Sequence, residues 1–254
     1  MRVRGTVEYL GTGWSGWQLQ PGPPTIQGAL ENALAIVVGA PVRVASAGRT
    51  DAGVHATGQV IAFDVPDHVD LRRLLGSLNA LAGRGICVVD LAVARPDFDP
   101  RRHALSRTYE YTILNRRPQS PFLADRSWLV LAPLDFASLE SLAAAVVGDR
   151  DFSAFRAADC ESGSTFRSLT ESAWRRDGHV LTYRVTANAF LKQMVRTLVG
   201  SMVDVALGRL PRETFLRLLE GGSRTEAGRT APPQGLTLVH VEYPDRPDVD
   251  AAGE

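Results

Sequence analysis

The sequence predicts an α+β protein made of two tandem ferredoxin-like (β-α-β-β-α-β) halves, with antiparallel sheets and a cleft between them. Three observations predict it. Apolar residues switch between strand-like alternation and helical spacing in the order β-α-β-β-α-β over the first hundred residues. The same order recurs, less cleanly, in the second half. Between them lies Arg95-Pro96-Asp97-Phe98-Asp99-Pro100, whose prolines suit a linker. The expected division is 1–97 for the N-terminal half, 98–244 for the C-terminal half, and 245–254 for an acidic tail expected to be disordered.

In chain order, the first half reads as a strand at 2–10, a helix at 25–38, strands at 42–47 and 59–65, a helix at 70–81 and a strand at 86–94. The second half reads as a strand at 107–114, a helix at 135–147, strands at 168–177 and 180–187, a helix at 190–207 and a strand at 236–243. A short extra helix is expected at 211–220. Asp177-Gly178 is a hairpin signal between the paired strands. A junction between two such halves is a common place for a ligand cleft.

A chain of 254 residues with 44% hydrophobic and 22% charged residues has the make-up of a soluble globular protein. No apolar run approaches the roughly 20 residues that span a bilayer. Met1-Arg2-Val3-Arg4 runs straight into a strand pattern, so a cytoplasmic location and no membrane association are expected. Cys87 and Cys160 stand far apart without metal-ligand spacing, which argues against a zinc site or disulfide framework; Cys87 is expected in the core. The formal net charge is zero, but residues 241–254 hold five acids and one base, leaving 27 bases against 23 acids before them. All of those bases except Lys192 are arginines, which suit bidentate phosphate contacts and stacking on nucleobases. An arginine-rich composition is equally what a GC-rich genome produces.

One carboxylate stands out. Asp51 follows Arg49-Thr50 on a Gly-rich loop, Gly48 to Gly53, between two strand patterns. Such a loop can present a catalytic or ligand-binding anion on a rigid scaffold. It can equally be an Asx-turn. Arg196 falls on the mostly apolar 190–207 helix, with Lys192 one turn before it on the minority polar stripe. A guanidinium there needs an anion, for which Asp51 is a candidate, or it reaches solvent along its stem. Tyr109 and Tyr111 share one face of a strand that begins at Arg107 and follows Arg101 and Arg102. That interleaving fits single-stranded RNA, and it also fits ordinary sheet packing. His55 reads as a general base or as a residue holding the loop. Neither a dinucleotide fingerprint nor a P-loop is present around Trp14 and Trp17.

Gly48-Arg49-Thr50-Asp51-Ala52-Gly53-Val54-His55 resembles the signature of TruA-type tRNA pseudouridine synthases. Four further stretches fall in that family's order: Trp14 to Gln18, Arg107 to Tyr111, Asn188-Ala189-Phe190 through Arg196, and Gly235 to Leu238. The similarity runs from about residue 4 to 244. It implies that Asp51 is the catalytic nucleophile, that Tyr109 contacts the target base, and that Arg196 pairs with the Asp51 carboxylate. It further implies that Leu236 packs beneath the base and that Arg49 intrudes where the flipped nucleotide leaves the stack. The family works on tRNA as a homodimer without metal or cofactor, isomerising uridine at positions 38, 39 and 40 of the anticodon stem-loop. Asn79 to Arg84 and Cys160 to Thr165 depart from the family pattern, and these bear on which tRNAs are bound. Two other functions suit the same scaffold: a catalytically silent RNA-binding module, and an N-glycosidase that would release free uracil.

Overall fold

A computed structural model describes residues 1–244; the expected acidic tail lies outside the described residues. The protein is a mixed α/β chain whose long strand pairings are antiparallel, with five α-helices among the described residues. Two compact units divide it. One holds residues 1–105 together with the chain from Leu238 onward, and the other holds Ser106–Thr237.

The first unit runs β1 (Arg2–Tyr9), α1 (Ile26–Val38), β2 (Ala45–Ser46), β3 (His55–Asp64), α2 (Leu71–Leu81) and β4 (Ile86–Val93), and ends with β10 (Leu236–Glu242) from Leu238 onward. Its strands lie in the order β4-β1-β3-β10, with β2 also on β3. Alternate β1 residues Val3, Val7 and Tyr9 are buried, as are Ile61 and Phe63 of β3 and Leu30 and Leu34 of α1. Thr25 caps α1 by accepting from the Gly28 amide, and Asp70 caps α2 through the Arg72 and Arg73 amides.

Two expectations need correction here. The segment 42–47 forms only a two-residue strand, because the Val44 amide donates to Glu31 Oε1 and its carbonyl accepts from Gln27 Nε2, both on α1. Those backbone groups are spent on helix side chains instead of a ladder. Cys87, expected in the core, is exposed on β4, an end strand of this order.

The second unit runs β5 (Ser106–Leu114), β6 (Trp128–Leu129), α3 (Phe136–Val146), β7 (Gly148–Asp151), β8 (Phe166–Asp177), β9 (Val180–Ala187), α4 (Met194–Ala206) and α5 (Arg212–Leu218). Its order is β5-β9-β8-β7, with β6 parallel to β5. β8 and β9 pair down to Asp177 opposite Val180, so the hairpin turn falls on Gly178-His179. The core gathers Tyr111, Trp174, Tyr183 and Val185 from strands with Leu139 and Leu142 of α3 and Leu198 and Met202 of α4.

The helix expected at 190–207 starts four residues late. Gln193 adopts a left-handed conformation (φ 61°), which an L-residue avoids within a helix, and α4 begins after it. Lys192 is therefore off the helix rather than one turn before Arg196 on its polar stripe. It pairs with Asp159 at 2.5 Å.

Candidate active site

The Asp51 loop is held from below by buried polar side chains. Tyr9, at the end of β1 and 3% exposed, places its hydroxyl 2.8 Å from Thr50 Oγ1. Gln59 of β3, fully buried, donates from Nε2 to the Gly48 carbonyl (2.8 Å) and to the Tyr9 hydroxyl (3.3 Å). The Trp17 amide donates to the Thr50 carbonyl (3.0 Å), and the Val54 amide to the Asp51 carbonyl (3.2 Å). His55 is 3% exposed, and its Nδ1 accepts from the Gly11 amide at 2.9 Å. A ring nitrogen that accepts is unprotonated, so this bond puts the proton of a neutral ring on Nε2.

Gly16 is required where the Trp14–Trp17 loop crosses this one. Its φ is +85°, and a Cβ there would lie 2.7 Å from the Thr50 carbonyl oxygen. The two Gly-rich stretches singled out in the sequence thus meet in one place. Asp51 itself is half-buried, while Arg49 is exposed and has no hydrogen-bonding or ionic partner among the described residues.

Burial pushes the Tyr9 phenol up to about 12, against the smaller pull of its hydrogen bonds to Thr50 and Gln59. It is a neutral hydroxyl at any physiological pH.

Tyr109, Arg196 and Leu236 belong to the second unit. Tyr109 is half-buried on β5, with the Phe190 ring set edge-on at 5.1 Å. Asn188 shapes the turn leading to Phe190: its Oδ1 accepts from the Ser168 and Ala189 amides. Arg196 sits in the first turn of α4, half-buried, and its Nε donates to the Ala231 carbonyl at 2.8 Å. The return bond, Ala231 amide to Arg196 carbonyl, measures 3.0 Å. Helix N-termini repel cations, so the chain spends a partly buried guanidinium where the helix itself disfavours it.

Tyr111, two residues from Tyr109, is fully buried and donates to the Pro232 carbonyl at 2.8 Å. Burial raises its phenol, more than the nearby Arg196 charge lowers it. Leu236 follows a short 3₁₀ turn, Pro233–Gly235, and is 6% exposed. Within this unit Arg196, Tyr111 and the 231–236 segment are brought together. The Tyr9, Thr50 and Gln59 floor and the Phe190 brace were not anticipated from sequence. Neither Tyr9 nor Gln59 carries a local signal of what it touches.

Among the described residues no group of three or more His, Cys, Asp or Glu side chains could hold a metal ion. No helix among them is long and apolar enough to cross a membrane.

A family model described as tRNA pseudouridine synthase matches residues 142–244. The chain is 44% identical over 253 residues to tRNA pseudouridine synthase A of Myxococcus xanthus, covering 99% of this chain and 96% of that one. The protein of the same name from Methylobacterium sp. (strain 4-46) is 42% identical, covering 96% of this chain and 98% of that one. That from Geotalea uraniireducens (strain Rf4) is 41% identical, covering 95% and 99%.

Proposed function

The chain belongs to the tRNA pseudouridine synthase A family, and from that membership we propose that Asp51 is the nucleophile with which it acts on the anticodon stem-loop of tRNA. The enzyme isomerises uridine to pseudouridine in tRNA. The observation that carries this is the similarity at 44% identity along 99% of the chain. It takes in the Asp51 loop as well as the segment matched by the family model.

The reaction breaks the bond from ribose C1′ to uracil N1, turns the base, and joins C1′ to C5. C5 gives up its hydrogen to solvent and N1 gains one, so nothing is oxidised. A carboxylate that stays ionised suits the nucleophile's task. We assign Arg196 to hold that charge, because a guanidinium kept half-buried at a helix N-terminus is stabilised by an anion. A base inside a stem must be extruded at a cost of a few kcal/mol and then held by stacking. Tyr109, braced edge-on by Phe190, offers the ring, and Leu236 offers apolar surface beneath the base. Arg49, exposed and unengaged among the described residues, is suited to the gap that the flipped nucleotide leaves.

The proposal extends to the architecture. The order β4-β1-β3 with β2 beyond β3 in the first unit, and β5-β9-β8 in the second, supports reading them as two ferredoxin-like halves. Action as a homodimer in the cytoplasm, with tRNA as partner, completes the reading.

The test uses tRNA transcripts labelled with tritium at uridine C5. The expected result is release matching the uridines at positions 38, 39 and 40, lost when these are replaced by cytidine, with no free uracil. Release that ignores those replacements contradicts the anticodon assignment. Free uracil identifies an N-glycosidase, and neither product identifies a silent RNA-binding module.

A further inference from the structure

We propose that Tyr9 is a positioning residue for the isomerisation, holding the Asp51 carboxylate through Thr50, with Gln59 fixing the direction of its hydrogen bond. This rests on the reading of Asp51 as the nucleophile.

The direction follows from donor and acceptor chemistry. The Gly48 carbonyl can only accept, so the Gln59 atom 2.8 Å from it is the amide nitrogen, and the amide orientation is settled. The same nitrogen lies 3.3 Å from the Tyr9 oxygen and donates to it. The Gln59 amide nitrogen cannot accept, so of the two partners of the Tyr9 hydroxyl Thr50 Oγ1, at 2.8 Å, is the one that can take its hydrogen, and we take Tyr9 as the donor. Because burial keeps the phenol neutral, the hydrogen stays in place across the working pH range.

Thr50 is the residue before Asp51. Its side chain is held by Tyr9 and its carbonyl by the Trp17 amide. That carbonyl is one end of the planar peptide unit whose other end is the Asp51 nitrogen, so both contacts orient the base of the Asp51 side chain. Gln59 anchors the other flank at Gly48.

Stability alone does not account for this choice of residues. Gln59 Oε1 is buried with no hydrogen-bond partner among the described residues. A buried acceptor left unmatched is costly, and an apolar side chain of similar size would avoid that cost. What the amide adds is a fixed orientation for the Tyr9 hydroxyl and for Gly48. Misplacing a reacting group by about 1 Å can slow a reaction on the order of a hundredfold.

The experiment measures single-turnover tritium release from C5-labelled tRNA transcript, with melting temperatures recorded alongside. Tyr9→Phe and Thr50→Val are each expected to slow turnover about tenfold with KM changed less than about twofold. Thr50→Ser, which keeps the hydroxyl, is expected within about threefold of the parent, and the double variant no slower than the worse single one. A merely structural role lowers melting temperature while turnover per folded enzyme stays at the parent rate, and that result overturns the proposal. So does a double variant whose losses multiply. Should Tyr9→Phe fail to fold, the comparison of Thr50→Ser with Thr50→Val decides, and equal rates for the two overturn the positioning role. Asp51→Asn run in parallel keeps the two claims apart. If it turns over normally the nucleophile reading has failed; if it is silent while Tyr9→Phe runs at full rate, only the positioning role has.

Discussion

The Asp51 loop in the first unit and the 228–236 segment in the second are held in opposite ways. Under the loop lies a set of buried side chains, Tyr9, Gln59 and His55, that reach up to Thr50 and Gly48 or across to the Gly11 backbone. The 228–236 segment instead lies directly against α4, its backbone close to Gly200 and bonded by polar side chains of that helix. A Cβ on Gly200 would sit 1.8 Å from the Arg229 carbonyl oxygen, and Arg196 and Ala231 exchange hydrogen bonds directly. Asp204 adds a clamp, accepting from both the amide and the Nε of Arg229. A loop held by side chains can lose one hydroxyl and stay folded, with only the placement of Asp51 disturbed. A segment whose backbone lies against Gly200 has no room for an added side-chain carbon.

Substitutions can break that comparison. Gly200→Ala is expected to have the largest effect on folding, lowering stability by about 3 kcal/mol, because overpacking here meets backbone that cannot swing aside. Urea denaturation checks it; an unchanged midpoint would show that the segment yields easily and that the contrast is false. Asp204→Ala is expected to cost about 2 kcal/mol by leaving the Arg229 amide and guanidinium without their acceptor. The same denaturation experiment reads it, and a loss near zero would move the weight onto the Gly200 contact alone. The Tyr9 and Thr50 variants sharpen the other side, since they are expected to change rate more than stability.

How far the sequence carried depends on whether a signal was local. Asp51 stood out as a candidate because Gly48, Arg49 and Gly53 surround it within six residues, and because four other stretches keep the same order as the family. Helix starts at Thr25, Asp70 and Asp135 were legible to within a residue, since capping is a short-range event. The two-residue β2 was not, because its backbone partners sit on α1, thirteen residues away for Val44 and Glu31. The late start of α4 turned on the conformation of Gln193, which no apolar pattern reports. Cys87 misled because an apolar run does not show which face each residue takes: Ile86 and Val88 on either side of it are buried, while Cys87 points to the exposed face. The floor of the loop was least visible of all: Tyr9 meets Thr50 and Gln59 across 41 and 50 residues. Alternation assigns such residues to a face, and only the folded chain assigns their partners.

The central claim is that Asp51 does the chemistry while other contacts hold the RNA. Tritium release and tRNA affinity measured together on Asp51→Asn test it most directly. The expected result is no detectable release with affinity within about tenfold of the parent, because phosphate contacts dominate binding. Release near the parent rate at unchanged affinity would contradict it.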